Sequence, residues 1–188
     1  MKGRKKGGIL ELENLLEGIR MDTRRITFST VVILISAAVM VLALFLPYAS
    51  ALPEFADMLA LLPAGEILES LGVTASSAVR ISMAEFVGIY LPVNKMIGLY
   101  YGLLVAVMGV TAVLCFVFAL LRKPVAALSC DLLAVVALIL HNCSYANRGV
   151  VPGTAYRYGI GYYLLYLAAV TAITGAILMI KEGKKDEA

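Results

Sequence analysis

Apolar positions along the chain gather into four long runs. They extend from Ile26 to Tyr48, from Ile97 to Leu121, from Pro124 to about Asn142, and from Gly159 to Ile180. A helix rises about 1.5 Å per residue, so each run is long enough for a hydrocarbon core of about 30 Å. The pattern predicts an all-α membrane protein, a four-transmembrane-helix bundle with spans at 26–48, 97–121, 124–142 and 159–180. Residues 49–96 and 143–158 become loops on one side of the membrane. Residues 1–25 and 181–188 lie on the other.

The segments between the runs carry their own periodicities. Ile9, Leu12, Leu15, Leu16 and Ile19 fall on one helical face within a basic N-terminal segment. That face suits either the inner leaflet, with basic flanks drawn to anionic lipid, or a docking partner. The first loop is long for a connector. Phe55, Met58, Leu59 and Leu62 recur at i, i+3, i+4, i+7 and form a candidate partner-binding face, ended by Pro63. Ile67, Leu68 and Leu71 continue as a second short helix up to Gly72. Val79, Ile81 and Met83 alternate with Arg80 and Ser82, which predicts a short strand. Ser82 and Glu85 match the S-x-x-E capping box and open a helix towards Tyr90. These elements predict a small extracellular cap between spans one and two.

Composition sharpens this picture. The 188 residues are 61% apolar and 15% charged, with mean hydropathy +0.90. A soluble domain is nearer 25% charged, and a disordered chain is far less apolar. Net charge is +3, which is no nucleic-acid signature. Lys and Arg set the orientation. Twelve of the sixteen lie in the N-terminal segment, at Arg122 and Lys123, or in the tail. Only Arg80, Lys95, Arg148 and Arg157 lie on the other side. Both termini are therefore expected in the cytoplasm of a plasma membrane. Ala49-Ser50-Ala51 has the form of a signal-peptidase site, but the run before it exceeds the 7 to 15 apolar residues of a signal peptide and reads as a retained span. All ten tyrosines fall at the expected outer side, which suits an interfacial aromatic belt.

Chemistry-bearing residues are few. Cys115, Cys130 and Cys143 form no spaced pair, and His141 is the only histidine. No P-loop or dinucleotide fingerprint occurs. No catalytic residues, metal site or cofactor are expected, and the chain reads as no enzyme. Asp131 is the one acidic residue inside an expected span. An ionisable group there is a functional-site hypothesis by default. Counting from the cytoplasmic ends places Cys115, Cys130 and Thr174 at its level, with Thr111, Thr171 and Ser36 about one turn deeper. Three roles stay open: a hydrogen bond between helices, a proton or cation relay, and a soft-metal site with the two thiols. His141 is expected at the wet outer end. Gly98, Gly102 and Ala106, and also Ala168, Ala172 and Ala176, recur every fourth residue and mark helix-packing faces, within one chain or between copies.

Phe45-Leu46-Pro47-Tyr48 closes the first run and Gly159-Ile160-Gly161-Tyr162-Tyr163 opens the last, with the capped Ser82 segment between. In these motifs the chain resembles small four-span membrane proteins of unknown function from Gram-positive bacteria. The resemblance implies a bacterial plasma membrane. The claudin-type architecture shares the topology, but its loop tryptophan and paired loop cysteines are missing here. Two functions are expected from the residues. One is an accessory or envelope-associated subunit acting on a membrane-protein partner or as a homo-oligomer within the lipid bilayer. The other is a small transporter or channel subunit using Asp131.

Overall fold

The computed structural model describes residues 27–61 and 78–186, with side chains as far as residue 183. The expected N-terminal amphipathic helix, Leu62 and the short helix at Ile67–Leu71 lie outside the described residues. The element order is α1 (Phe28–Ala43), β1 (Pro47–Ala51), α2 (Pro53–Leu61), β2 (Arg80–Ser82), α3 (Met83–Val93), α4 (Lys95–Leu120), α5 (Pro124–Asn147), β3 (Tyr156–Tyr158) and α6 (Ile160–Asp186). Three of these helices, α4, α5 and α6, are long and apolar enough to cross a membrane.

Three helices start at a side-chain cap and a fourth at a proline. The Thr27 hydroxyl accepts from the backbone N–H of Thr30 at the head of α1. Ser82 and Glu85 form the reciprocal capping box of α3, at 2.7 and 3.2 Å. Asn94 caps α4 through the N–H groups of Met96 and Ile97. Pro124 occupies the first turn of α5, where its missing N–H costs nothing. The turn before it closes with a backbone bond from Lys123 to Phe118, six residues inclusive, with Arg122 at a positive φ of 53°.

α1 packs on α6 and α4, α4 on α5, and α5 on α6. Small residues make this close. Ala37, Ala112, Ala119, Ala127, Ala134, Ala168, Ala169, Ala172 and Ala176 are all buried. The expected alanine face of α6 is thus spent inside the chain. Two glycines of α4 meet α3 instead: a β-carbon on Gly98 would come within 2.7 Å of the Leu91 backbone, and one on Gly102 within 3.3 Å of Val87. Ala106, the third member of that row, is exposed.

The expected first run and the helix differ. α1 covers 16 residues and stops at Ala43, and the rest of the run turns and enters β1. Tyr48, Ala49 and Ala51 are buried within a sheet rather than a helix, which explains why the apolar pattern continues past the helix end. β1 is the central strand of an antiparallel sheet ordered β2-β1-β3. Ala49 faces Ile81 on one side and Tyr158 on the other. α5 runs five residues past its expected end, to Asn147, because its polar last turns are covered by the tyrosines described below. α6 runs on to Asp186. At the far end the Ser29 hydroxyl bonds Glu182, tying the start of α1 to the end of α6.

The Gly159-Ile160-Gly161 motif lets α6 begin against the α1–β1 turn. A β-carbon on Gly161 would sit 2.8 Å from the Leu46 carbonyl oxygen and 3.0 Å from that of Pro47. Gly161→Ala should therefore destabilise the chain by about 1 to 3 kcal/mol. Gly183→Ala, where nothing lies within 4 Å, should be neutral or gain up to about 1 kcal/mol. Parallel melting curves in lipid nanodiscs check the contrast.

Candidate functional site

The inward face of α5 carries two buried ionisable side chains, Asp131 and His141. Asp131, Ala134, Ala137, Leu138, His141 and Tyr145 are buried, while Leu132, Leu133, Val136, Ile139 and Leu140 face outward. An apolar exterior around a polar interior is the reverse of a soluble helix and suits a lipid surround.

Asp131 is 1% exposed. Neither carboxylate oxygen has a hydrogen-bond partner among the described residues. It lies between two layers of apolar side chains. One holds Ile33, Ala37, Cys115, Ala119, Ala176 and Met179, and the other Met40, Ala112, Ala134, Ala168 and Ala169. Cys115, buried on α4, and the half-buried Cys130 are near enough to feel its charge. The threonines expected around it are committed elsewhere. Thr111 is buried but donates to the Val107 carbonyl at 2.7 Å, Thr171 to Leu167 at 2.7 Å, and the exposed Thr174 to Val170 at 2.8 Å. A hydroxyl in a helix readily bonds the carbonyl four residues back. A ring of hydroxyls around Asp131 therefore does not form. The soft-metal reading also lacks its ligands, since among the described residues no group of three or more His, Cys, Asp or Glu can hold a metal.

His141 corrects the expectation of a wet interfacial residue. It is 0% exposed, and both ring nitrogens lack a partner among the described residues. Three tyrosine rings enclose it, with centroids at 4.3 Å for Tyr145, 5.2 Å for Tyr101 and 5.5 Å for Tyr48. The Tyr145 hydroxyl is a third buried polar group without a partner. Strand β1 puts Tyr48 there, and α4 supplies Tyr101.

Asn142 joins the surrounding aromatics. Its side-chain carbonyl accepts from Tyr48 at 3.2 Å and Tyr158 at 2.9 Å, and its amide donates to the Tyr166 hydroxyl at 3.3 Å. Tyr101 and Ser144 share a hydrogen bond of 3.0 Å. Tyr158 stacks on Tyr162 at 3.9 Å. The tyrosines are thus no simple lipid-facing belt: Tyr48, Tyr101 and Tyr145 are fully buried, and only Tyr100 and Tyr163 are exposed. In β3, burial pushes the Tyr156 and Tyr158 hydroxyls above the ordinary tyrosine value. For Tyr158 the Tyr162 hydroxyl adds to the rise and the Asn142 bond opposes it. Sequence reasoning placed the tyrosines at one end but missed their convergence. The signal available was the i, i+4 spacing of His141 and Tyr145 beside Asn142.

The candidate partner face divides. Phe55 packs on Tyr156 with centroids 5.4 Å apart, and Leu59 is buried. Met58 stays half in solvent, and Leu61 is almost fully exposed. No family model, curated protein or solved structure matches the chain.

Removing the Asn142 hub releases three tyrosine hydroxyls. Asn142→Ala should cost about 1 to 3 kcal/mol, for the buried Tyr48 hydroxyl left unpaired, while the partly exposed Tyr158 and Tyr166 hydroxyls can turn to water. Loss of near-ultraviolet tyrosine dichroism at a lower melting temperature, with far-ultraviolet signal retained, is the expected readout.

Proposed function

We propose that this chain is a non-enzymatic integral membrane protein of four spans, α1, α4, α5 and α6. In this reading both termini are cytoplasmic, and the sheet with its tyrosines forms the outer cap. Its working group is Asp131, as a small transporter or channel subunit that relays a cation. The carrying observation is the pair of unpartnered carboxylate oxygens in a nearly fully buried residue. A structural aspartate between helices is kept for the hydrogen bonds it makes, and this one makes none. Placing a charge at mid-membrane costs about 2.5 to 3.5 kcal/mol on insertion scales. No partner among the described residues offsets that cost, so a role in binding a mobile ion accounts for it better than packing does. Short alanine side chains on every facing helix leave the carboxyl without competing ligands.

The test is cation flux into liposomes holding the full chain. Asp131→Asn should keep helix content and melting behaviour, yet lower flux at least about tenfold. Unchanged flux in a folded variant would remove Asp131 from the function.

A second reading, a partner-binding accessory subunit, has one observation behind it. α2 leans on the sheet through Phe55 and Leu59 while presenting Met58 and Leu61 outward. Exposed apolar side chains on a fixed support suit a protein partner. Extraction into native lipid nanodiscs followed by mass spectrometry should then give a stoichiometric partner, which the double variant Met58→Ser, Leu61→Ser loses. A homo-oligomer carrying only lipid would oppose this reading.

A further inference from the structure

Strand register puts a different chemistry on the far face of the sheet. Side chains alternate across a strand, and residues paired on neighbouring strands share a face. Ala49 pairs with Ile81 and Tyr158, and this row faces the buried tyrosine layer. The next row is Arg80, Ser50 and Arg157, which therefore faces away from it. Both arginines are exposed, and Ser50 is half-buried between them. Neither guanidinium has an ion pair or a hydrogen bond among the described residues. Glu54 and Asp57, the acids of α2 just after β1, pair with neither.

Two strand spacings put the arginine backbones about 9 to 10 Å apart. Their side chains are long enough to meet over the serine hydroxyl. A guanidinium fork matches two oxygens of a phosphate, and its charge does not titrate. Two fixed positive charges with a hydroxyl between them, and no counter-charge, suit a phosphate.

The surroundings say where that phosphate comes from. Arg157 lies three residues before Ile160, where α6 begins. A β-carbon on Gly159 would stand 3.1 Å from the Ser50 hydroxyl oxygen, which fixes Ser50 at the same helix start. Exposed apolar side chains continue from there. They are Ile160 and Tyr163 on α6, with Phe45 and Leu46 at the α1–β1 turn that packs against it. A charged row that runs on into apolar surface at the end of a span lies at headgroup level, and fits a lipid better than a free ion.

We propose that the Arg80–Ser50–Arg157 row binds the phosphate of an anionic phospholipid whose acyl chains lie along Ile160, Tyr163, Phe45 and Leu46. This rests on the reading of α6 as a membrane span and is independent of Asp131.

The chain has no tryptophan, so Tyr163→Trp provides a single indole at the helix start. The full chain with this reporter is placed in phosphatidylcholine vesicles containing some phosphatidylglycerol. Either lipid in turn carries brominated acyl chains, which quench an indole on contact. Phosphatidylglycerol should be preferred at least about tenfold over its share of the bilayer. An arginine near the surface contributes about fivefold to anionic-lipid binding. Arg80→Gln and Arg157→Gln should therefore each lower the preference about fivefold, and the double variant should abolish it, with far-ultraviolet dichroism unchanged. Lys95→Gln, at an exposed outer cation outside the row, should leave it intact. An equal loss in Lys95→Gln would trace the preference to diffuse charge and overturn the site, as would equal quenching by both lipids. Displacement of phosphatidylglycerol by millimolar inorganic phosphate would overturn the lipid assignment in favour of a free anion. An indole quenched by neither lipid would fail the reading of α6 as a span as well.

Discussion

Pairing of β1 on both edges is the joint on which this fold depends. A strand of five residues following α1 is bonded to the segment before α3 on one side and to the segment before α6 on the other. Three connections that would otherwise be separate loops become one sheet. Strand pairing also satisfies backbone groups next to an apolar interior, where an unpaired N–H or C=O is costly. The joint sets distances elsewhere. α6 must start where β3 leaves it, against the α1–β1 turn, and only glycine at 159 and 161 permits that approach.

From the joint, the aromatic layer follows. Tyr48 is carried inward by β1, Tyr158 by β3, and both hydroxyls converge on Asn142 at the end of α5. An amide with both an acceptor and a donor suits this place, because it can take two phenol protons and give one of its own. The rings then close over His141. Its burial is thus a consequence of strand pairing some distance away in sequence, and the polar last turns of α5 remain helical beneath this cover.

The four apolar runs, the capping box at Ser82 and the strand near Ile81 were legible from residue pattern, since periodicity and caps are local signals. The end of α1 was not. Phe45-Leu46-Pro47-Tyr48 is as apolar as the helix before it, and hydropathy does not separate a buried strand from a buried helix. The glycine row of α4 read as a helix-packing face, and it is one, but its partner is the short α3 rather than another long helix. Asp131 stood out because its charge is alone among apolar neighbours. His141 did not, since its environment is made by Tyr48 and Tyr101, residues 93 and 40 positions away in the chain, and that proximity appears only once the sheet has formed.

Alanine packing links the two unpartnered groups to each other. Facing helices approach most closely where their side chains end at the β-carbon, and most inward positions between Asp131 and His141 are of that kind. Close backbones leave little room for a second polar side chain to reach either group. The same packing that holds α1, α4, α5 and α6 together therefore keeps the carboxyl and the imidazole from being neutralised by neighbours. A core of larger residues would space the helices further apart and give a threonine or an asparagine room to turn inward. The threonines at 111, 171 and 174 bond carbonyls of their own helices, as helical hydroxyls readily do. The unpaired state of Asp131 is thus a property of the whole interface and not of one side chain's rotamer.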